Sequence, residues 1–417
     1  MSNINLSCGT IAILTGGGDV PGLNPAIRGV TLRAIRDGYK VIGLRRGWAG
    51  ITEINRDLDK KDPYNQNCYM ELTYAVARSA ARTGGTFLHT SRTRPSHMKK
   101  DDVPAHYQAS LAAYLREDTK DGNEEDKRYD LTPEVVKNLE FLGIDYLIAI
   151  GGDDTLSYAV TLHKAGVKVI AIPKTMDNDV PGTDYCTGFS TCVTRTIQLA
   201  NELRTAVSSH ERFMVMEVFG RNAGFTAMLP TLAGAADRCV IPEEPFDIER
   251  LCWLMCEDRR KNPNNYASVL VSEGASFAGK DIPLLNTELD AYGHPRLGGI
   301  GKAVGDALKE VSPKYNDGKP VNIMVQNLTY IIRCGEPDFI DSIVPMMYGN
   351  LAMDLIAENT FGMMAALVNG KYDTVPIEAV ISRKKVVNAE KYYVSKRMRP
   401  RYDFMKGNPM LLMSAEE

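Results

Sequence analysis

The chain has 417 residues, of which 44% are hydrophobic, a length and composition typical of two folded domains with sizeable cores. Its 49 Lys and Arg residues against 52 Asp and Glu give a formal net charge of −3, which favours neither nucleic acid nor an anionic membrane as a partner. It has no secretory signal, no run of about 18 apolar residues and no CxxC pair among its eight cysteines, so we expect a cytoplasmic protein with free thiols and no membrane helix.

The first predicted elements are a strand over Thr10–Leu14, a helix over about Pro25–Asp37 and a strand over Tyr39–Leu44. The glycine-rich turn between the first strand and the helix contains Gly17. This turn lacks the GxxxxGK[ST] pattern of a P-loop and the dinucleotide-binding GxGxxG in its required frame. Local sequence therefore leaves two interpretations open, an anion-binding loop and a tight structural turn.

A second glycine pair, in the turn Thr83–Thr86, precedes Arg92. An arginine at this point can clamp a phosphate, although a solvated surface arginine fits the local sequence equally well. The charged stretch Lys99–Asp130 predicts an exposed insertion that is partly helical around Ala105–Leu115. A helix capped by Thr132, with Pro133 in its first turn, is predicted to follow and to run to Leu142.

The most informative stretch runs from Tyr146 to Gly182. Its two apolar runs, Tyr146–Ile150 and Val167–Ile172, predict neighbouring parallel strands joined by a helix over Leu156–Lys164. Each predicted strand ends in polar residues, and in open α/β sheets ligands bind at the carboxyl ends of the strands.

These polar residues are the types that phosphoryl transfer needs. Asp153 can hold a magnesium ion, Lys174 can neutralise charge on the transferred group, and Asp177 can take a proton from an attacking hydroxyl. Glycine, aspartate and asparagine also favour ordinary surface turns, which is the alternative. Two such turns at matching strand ends favour the phosphoryl-transfer interpretation.

The second half of the chain repeats the alternation of strands and helices. It is predicted to contain strands over Phe213–Val218, Arg238–Ile241 and Ala267–Val271, and helices over Val193–Ser208, Asp247–Asn262 and Gly301–Val311. We further expect a loop over Asp281–Gly298, an extended segment over Val321–Arg333, a methionine-rich helix over Ile343–Asn369 and a basic C-terminal surface segment or subunit contact. This alternation predicts an α/β fold with doubly wound, mainly parallel sheets in two lobes, with a substrate cleft between them.

Seven motifs in chain order resemble those of one known family. They are TGGGDVPGLN (Thr15–Asn24), GGTFLHTSR (Gly84–Arg92), GGDDT (Gly151–Thr155), PKTMDND (Pro173–Asp179), ERFMVMEVFGRNAG (Glu211–Gly224), SEG (Ser272–Gly274) and YIIR (Tyr330–Arg333). On these motifs the chain resembles the phosphofructokinase superfamily over roughly Thr10–Gly370. The resemblance implies two Rossmann-like α/β/α lobes with the active site in the cleft between them.

The resemblance also implies an activity and a division of the chain. The activity is reversible, Mg²⁺-dependent phosphoryl transfer to the 1-hydroxyl of fructose 6-phosphate, giving fructose 1,6-bisphosphate, as in glycolysis and gluconeogenesis. Residues 1–188 with about 333–382 would form the lobe for the phosphoryl donor and Mg²⁺. Residues 189–332 with the C-terminal segment would form the sugar-phosphate lobe.

Carried onto matching positions, the resemblance implies that Asp177 is the general base and that Asp153 binds Mg²⁺. Arg221 would stabilise the transferring phosphoryl group, and Arg212 would reach the sugar phosphate of a neighbouring subunit in a homodimer or homotetramer. The substrate-binding positions are expected at Gly17, Arg92, Thr175, Asp179, Arg212, Phe219, Gly220, Glu273, Tyr330 and Arg333.

Two positions bear on the phosphoryl donor and complete the expected catalytic set. ATP-using members of the family resemble GGDG and PGT in the two turns, whereas this chain has Asp154 and Lys174, like the pyrophosphate-using members. Asp154 would place a carboxylate where the α-phosphate of ATP would lie, and Lys174 would place a cation beside the compact diphosphate. We therefore expect pyrophosphate as donor, with ATP as the alternative.

The acceptor is less sharply predicted, because Met324 stands where the family commonly has a basic residue. Asn327, Leu328 and Thr329 are also unusual before Tyr330, and Gly335–Asp338 adds carboxylates after Arg333. Fructose 6-phosphate is the expected acceptor, and sedoheptulose 7-phosphate or another sugar phosphate is the alternative. A non-catalytic sensor would need neither Asp177 nor Arg221, and a dehydrogenase would need the missing dinucleotide fingerprint.

Overall fold

The structure, a computed structural model, describes residues 8–279, 284–289, 295–403 and 406–407. The chain divides into two compact units, and neither is a continuous stretch. Unit 1 comprises Met1–Thr175, Val180–Thr187 and Gly335–Arg383. Unit 2 comprises Met176–Asp179, Gly188–Cys334 and Lys384–Glu417.

The strands are short, with two to six residues each. In chain order they are β1 (Thr10–Thr15), β2 (Lys40–Leu44), β3 (Tyr69–Glu71), β4 (Tyr146–Gly151), β5 (Val169–Pro173), β6 (Phe213–Val218), β7 (Arg238–Val240), β8 (Ala267–Ser272), β9 (Leu284–Leu289), β10 (Pro295–Leu297), β11 (Ile323–Asn327), β12 (Met363–Val368), β13 (Lys371–Pro376), β14 (Tyr393–Val394) and β15 (Arg399–Pro400).

The α-helices lie mainly in the connections between these strands. They are α1 (Leu23–Arg36), α2 (Trp48–Thr52), α3 (Pro63–Gln66), α4 (Tyr74–Ser79), α5 (Thr132–Leu142), α6 (Asp153–Lys164), α7 (Phe189–Ser209), α8 (Phe225–Leu232), α9 (Ile248–Lys261), α10 (Ile300–Val311), α11 (Thr329–Ile332), α12 (Phe339–Ala357), α13 (Ala379–Ser382) and α14 (Ala389–Tyr392). Short 3₁₀ helices occupy Pro95–His97, Lys100–Asp102, Ala105–Tyr114, Glu117–Thr119, Ser312–Lys314 and Ser395–Arg397.

Unit 1 contains a seven-stranded sheet in the order β13-β12-β5-β4-β1-β2-β3. Its five central strands are parallel, and the two edge strands, β3 and β13, pair antiparallel to their neighbours. The parallel strands are buried almost throughout, as expected for a sheet covered by helices on both faces. Helices α1 and α12 approach so closely that a Cβ on Gly29 would lie 2.4 Å from the carbonyl oxygen of Met346.

Unit 2 contains a fully parallel four-stranded sheet in the order β11-β6-β8-β7. At its β7 edge, the C-terminal segment approaches the sheet, because the Cys239 amide donates to the Met398 carbonyl at 2.9 Å. Arg238, buried on the same strand, donates to both carboxylate oxygens of Asp258 and to the Arg397 carbonyl. The basic C-terminal segment is thus tied to the body of unit 2 through its backbone.

The predicted class, α/β with mainly parallel sheets, is confirmed. The methionine-rich helix was predicted too long, since α12 ends at Ala357 and Met363–Val368 forms β12 beside β5. Asn359 and Gly362 lie between α12 and β12, and each has a positive φ angle. These left-handed residues end the helix and turn the chain. The loop predicted over Asp281–Gly298 is partly wrong, because β9 and β10 form an antiparallel pair, and the rest of that range up to residue 294 lies outside the described residues.

The charged insertion has a small core of its own. Its 3₁₀ turns surround a buried cluster of Met98, Val103, Tyr107, Tyr129 and Leu131. In the part of the chain that the structure describes, no helix combines the length and the apolar character needed to cross a membrane.

Candidate active site

The turn after β1 is held by the segment that leads to Arg92. The Gly17 amide donates to the Ser91 carbonyl at 3.0 Å, and the Thr90 hydroxyl donates to the Gly17 carbonyl at 2.6 Å. Gly17 has φ 79°, a left-handed conformation that glycine adopts without strain. Arg92 follows directly and is exposed. The structure therefore brings Gly17 and Arg92, predicted separately from sequence, to one place in unit 1.

Lys174 joins this turn from the end of β5. Its side chain is 5% exposed, and its ammonium donates to the Gly18 carbonyl at 2.8 Å. Its amide donates to the Gly151 carbonyl at 2.9 Å, so the backbone is fixed against the end of β4. A Cβ on Gly17 would lie only 3.3 Å from the Lys174 ammonium. The cation therefore lies beside the glycine-rich turn, with Thr175 next to it in sequence.

Asp153 and Asp154 occupy the first turn of α6, not the turn before the helix as the sequence predicted. Asp153 is exposed and Asp154 is half-buried, and the Asp154 amide donates to the Asp153 carboxylate at 2.9 Å. Carboxylates are favourable at a helix amino terminus, because the helix dipole places partial positive charge there. This electrostatic preference explains why two adjacent acids are compatible with an earlier start of the helix.

A magnesium ion at this end of α6 needs ligands from a bound substrate in addition to the protein carboxylates. Among the described residues, no group of three His, Cys, Asp or Glu side chains is arranged to hold a metal. Mg²⁺ commonly takes one or two protein carboxylates and completes its shell with phosphate oxygens and water. The exposed Asp153 carboxylate is suited to such a site.

In unit 2, Asp177 is a carboxylate whose charge is disfavoured. Burial, followed by the neighbouring charges of Asp179 and Glu273, raises the pKa of Asp177 well above its usual value. The Arg221 amide opposes this rise by donating to the Asp177 carboxylate at 3.2 Å. A carboxylate with a raised pKa is a stronger base when ionised, which suits proton abstraction from a hydroxyl.

Arg221 and Glu273 come together through the exits of β6 and β8. The Glu273 amide donates to the Val218 carbonyl at 2.9 Å, and the Gly274 amide donates to the Gly220 carbonyl at 3.1 Å. Gly274 is required here, because a Cβ on it would lie 2.0 Å from the Arg221 carbonyl oxygen. These contacts align the two loops in register.

Glu273 is a half-buried carboxyl with a strongly perturbed proton affinity. Burial raises its pKa to about 7, opposed by the positive charge of Arg221 and reinforced by the negative charge of Glu217. Arg333 also lowers this pKa, but less than Arg221 does. Glu273 therefore lies within the electrostatic reach of both arginines that the sequence singled out in this unit.

Arg333 ends α11 and lies near two aromatic rings. Its guanidinium carbon is 5.8 Å from the centre of the Phe219 ring and 5.9 Å from that of Tyr330, distances typical of cation–π contacts. Tyr330 itself is 76% exposed. The structure thus groups Phe219, Tyr330 and Arg333 as predicted substrate-binding residues of unit 2.

Within one chain, Arg212 lies away from Phe219 and the other predicted substrate-binding residues of unit 2. It precedes β6, whereas Phe219 and Gly220 follow the same strand at its other end. Six strand residues separate the two ends by about 20 Å.

The sequence analysis assigned no role to three residues that hold these loops, Glu217, Glu243 and Asn327. Glu217, 2% exposed within the apolar strand β6, accepts hydrogen bonds from Gly301 and Asn327. Glu243 accepts from the Gly224 amide at 3.0 Å and from the Val387 amide at 2.8 Å. An isolated acid in the apolar run MVMEV was a usable signal for Glu217, whereas the partners of Glu243 and Asn327 are visible only in three dimensions.

In each unit, charged residues follow the ends of parallel strands, and acids, a buried lysine and arginines are residue types that phosphoryl transfer uses. Comparison with known proteins agrees, because the model of the family described as phosphofructokinase matches residues 10–356. The chain belongs to the phosphofructokinase family. It is therefore a phosphotransferase, which confirms the predicted family and enzyme class.

The named relatives divide by phosphoryl donor. The chain is 33% identical to pyrophosphate–fructose 6-phosphate 1-phosphotransferase of Dictyoglomus thermophilum over 381 residues, covering 91% of this chain and 95% of the relative. It is 35% identical to ATP-dependent 6-phosphofructokinase 2 of Clostridium perfringens over 381 residues, covering 91% and 94%.

A solved structure supports the fold. The pyrophosphate-dependent phosphofructokinase of Marinobacter aquaeolei aligns with a TM-score of 0.69 at 18% identity, covering 98% of this chain and 92% of that one.

Proposed function

We propose that this enzyme transfers a phosphoryl group reversibly from pyrophosphate to the 1-hydroxyl of fructose 6-phosphate. The observation that carries the choice of donor is the buried Lys174, whose ammonium lies beside the Gly17 turn, together with Asp154 in the first turn of α6. A fixed cation suits a small, highly charged donor, and a carboxylate disfavours a further phosphate at its position. The pyrophosphate-dependent relatives support this choice, while the ATP-dependent relatives of similar identity make ATP the alternative.

In the proposed reaction, Asp177 accepts the proton of the acceptor hydroxyl as its oxygen forms a bond to phosphorus. The bond from that phosphorus to the bridging oxygen of pyrophosphate breaks, and inorganic phosphate leaves. Arg221, whose amide already contacts Asp177, would stabilise the charge on the transferring group. Magnesium, held by Asp153 and phosphate oxygens, would supply electrostatic stabilisation of the donor.

The direct test measures steady-state turnover with pyrophosphate and with ATP, each with Mg²⁺ and fructose 6-phosphate. We expect turnover with pyrophosphate and little with ATP. Turnover with ATP and none with pyrophosphate would overturn the donor while leaving the family in place.

The donor residues themselves are tested by replacing both Asp154→Gly and Lys174→Gly. Loss of a charge-assisted contact from Lys174 should lower kcat/KM for pyrophosphate by about 10- to 100-fold. Loss of the Asp154 carboxylate should relax the exclusion of ATP. A Lys164→Ala variant, which changes an exposed lysine at the far end of α6, serves as control. Full pyrophosphate-dependent turnover in the double variant would refute the assignment.

The surroundings of Arg333 support a sugar phosphate as the acceptor. Its contact distances to two aromatic rings and its interaction with Glu273 support binding of a sugar phosphate by unit 2. Met324 on β11 is half-buried and offers no positive charge, so the distal phosphate depends more on Arg333. Comparing fructose 6-phosphate with sedoheptulose 7-phosphate under one donor identifies the acceptor by its kcat/KM.

We infer further that the enzyme is a homodimer or homotetramer. The distance between Arg212 and the rest of the unit 2 residues supports a role for Arg212 in a neighbouring subunit. The eight free cysteines support a reducing, cytoplasmic location.

A further inference from the structure

Asn327, at the end of β11, connects two parts of unit 2 through both ends of its amide. Its Nδ2 donates to Glu217 Oε1 at 2.9 Å. Its Oδ1 accepts from the Thr329 amide at 3.1 Å and from the Thr329 hydroxyl at 2.6 Å. The side chain therefore ties the first residue of α11 to strand β6.

Glu217 is a firm anchor for this connection. It is 2% exposed, and its carboxylate also accepts from the Gly301 amide at 2.8 Å and the Gly299 amide at 3.2 Å, at the amino terminus of α10. Its own carbonyl accepts from the Leu328 amide at 2.9 Å. Helix-terminal amides favour a carboxylate, so Glu217 has little freedom to move.

Helix α11 depends on such support. It has four residues, too few to be stable alone, and its first residue is Thr329. It carries Tyr330 and leads into Arg333, the cation near Phe219. Phe219 follows Glu217 by two positions, so both sides of the Arg333 environment are fixed relative to Glu217.

We propose that Asn327 is a positioning residue that sets the affinity for the acceptor's phosphate by holding α11, and with it Arg333, against Glu217. This inference rests on the proposed function, in which Arg333 binds the sugar phosphate. It gives the unusual asparagine before Tyr330 a role in acceptor binding and none in the chemical step.

The test measures fructose 6-phosphate binding by isothermal titration calorimetry without any donor, and KM and kcat with pyrophosphate. Asn327→Ala should raise both Kd and KM for fructose 6-phosphate by about 10-fold, the effect of one to two hydrogen bonds, and leave kcat within about 2-fold. Gln326→Ala, at the neighbouring exposed position of β11, should leave all three unchanged.

A double variant that exchanges the acid and the amide between positions 217 and 327 provides a rescue experiment. Asn327→Asp keeps an acceptor for Thr329 but places a carboxylate against Glu217, so Kd should rise about as much as in Asn327→Ala. Adding Glu217→Gln restores a donor–acceptor pair with reversed polarity but loses the bond that Glu217 Oε1 accepts from the Gly299 amide, so Kd should recover partially, by about threefold. This rescue keeps the inference testable even if Asn327→Ala fails to fold.

An Asn327→Ala variant that loses kcat at unchanged Kd, or an exchange without recovery, would overturn the inference. Wild-type protein that binds fructose 6-phosphate but does not use pyrophosphate would contradict the proposed donor and leave the role of Asn327 standing. Wild-type protein that binds no sugar phosphate would overturn both.

Discussion

Asp177 and Glu273 illustrate how neighbouring side chains tune acids in this site. Both carboxyls are desolvated, and both feel a mixture of opposing charges from unit 2. After burial, the largest contributions to the pKa of Asp177 come from negative charges. For Glu273, the largest contribution after burial comes from the positive charge of Arg221. The same surroundings therefore favour protonation of both groups at a higher pH than in water, with direct consequences for activity and stability.

The pH dependence of kcat/KM should report the raised pKa of Asp177. A base must be ionised, so activity should fall as the pH drops through that raised value. Asp179→Asn removes a negative charge that raises the pKa of Asp177. The acid limb of the pH profile should therefore move to lower pH, whether or not the substitution also changes the maximal activity. Asp306→Asn, an exposed change on α10, should not move it. An unmoved limb in Asp179→Asn would show that another group controls the profile.

Glu273 should make folding stability depend on pH. Its pKa is raised in the folded state to about 7 from the ordinary 4.5, so its ionisation costs stability increasingly between these values and fully above about 7. The melting temperature of Glu273→Gln relative to wild type should therefore be lowest near pH 4.5 and rise through pH 7. Differential scanning calorimetry from pH 4.5 to 8 measures this, with the exposed Glu310→Gln as control. A difference independent of pH would contradict the interpretation.

At the scale of elements, the sequence predicts strands and helices correctly where a short apolar run is followed by glycine or by charged residues. Strands β4 and β6 are confirmed with their expected starts, and α5 with its expected end at Leu142. The pattern failed between Ile343 and Asn369, where only the short polar break Glu358–Thr360 and a Phe-Gly pair separate the apolar residues of α12 from those of β12. Apolar runs do not distinguish a buried helix from a buried strand, and here pairing with β5 decides the outcome.

The C-terminal segment is an element whose attachment can be tested. Glu243 accepts hydrogen bonds from Gly224, which precedes α8, and from Val387 in that segment. Glu243→Ala leaves those amides without this acceptor and should lower the free energy of unfolding by about 1–3 kcal/mol. Limited proteolysis should then cleave the chain near residue 387 faster than in wild type.

The adjacent Glu244→Ala is the matched control for this change. It removes a carboxylate of the same size one residue away and should leave unfolding in urea and cleavage near wild type. Equal effects of the two substitutions would show that Glu243 does not hold the segment.

At the scale of the whole molecule, the sequence predicts most residues of the candidate site but not the connections between them. The GGDDT, PKTMDND and ERFMVMEVFGRNAG motifs contain Asp153, Lys174, Asp177 and Arg221, so these positions are visible in the sequence alone. The support from Glu217, Asn327 and Glu243 depends on partners as much as 144 residues away in the chain. Such pairings follow from the path of the backbone, which local patterns do not encode.

The oligomer proposal leads to a complementation experiment. If Arg212 serves a neighbouring subunit, Arg212→Ala and Asp177→Asn remove different halves of each site. Each variant alone should be nearly inactive, and co-expression should restore about a quarter of wild-type activity in a randomly mixed dimer, because one site in each mixed dimer is intact. Sequential purification on two different affinity tags, one on each variant, confirms mixing, and mixed oligomers without recovered activity would place Arg212 outside the neighbour's site.

The interrupted path of the chain has a consequence for biosynthesis. The four strands β6, β7, β8 and β11 of unit 2 are all contained in residues 213–327, whereas the sheet of unit 1 lacks β12 and β13 until residue 376. A ribosome thus releases every strand of the second sheet before the last strands of the first, although the first sheet begins at Thr10. The five amino-terminal strands of the first sheet must wait, with β5 still lacking its neighbour β12, while the later sheet acquires its full set of strands. Chaperone demand during translation should accordingly be concentrated on the nascent chain between the emergence of β5 and that of β12.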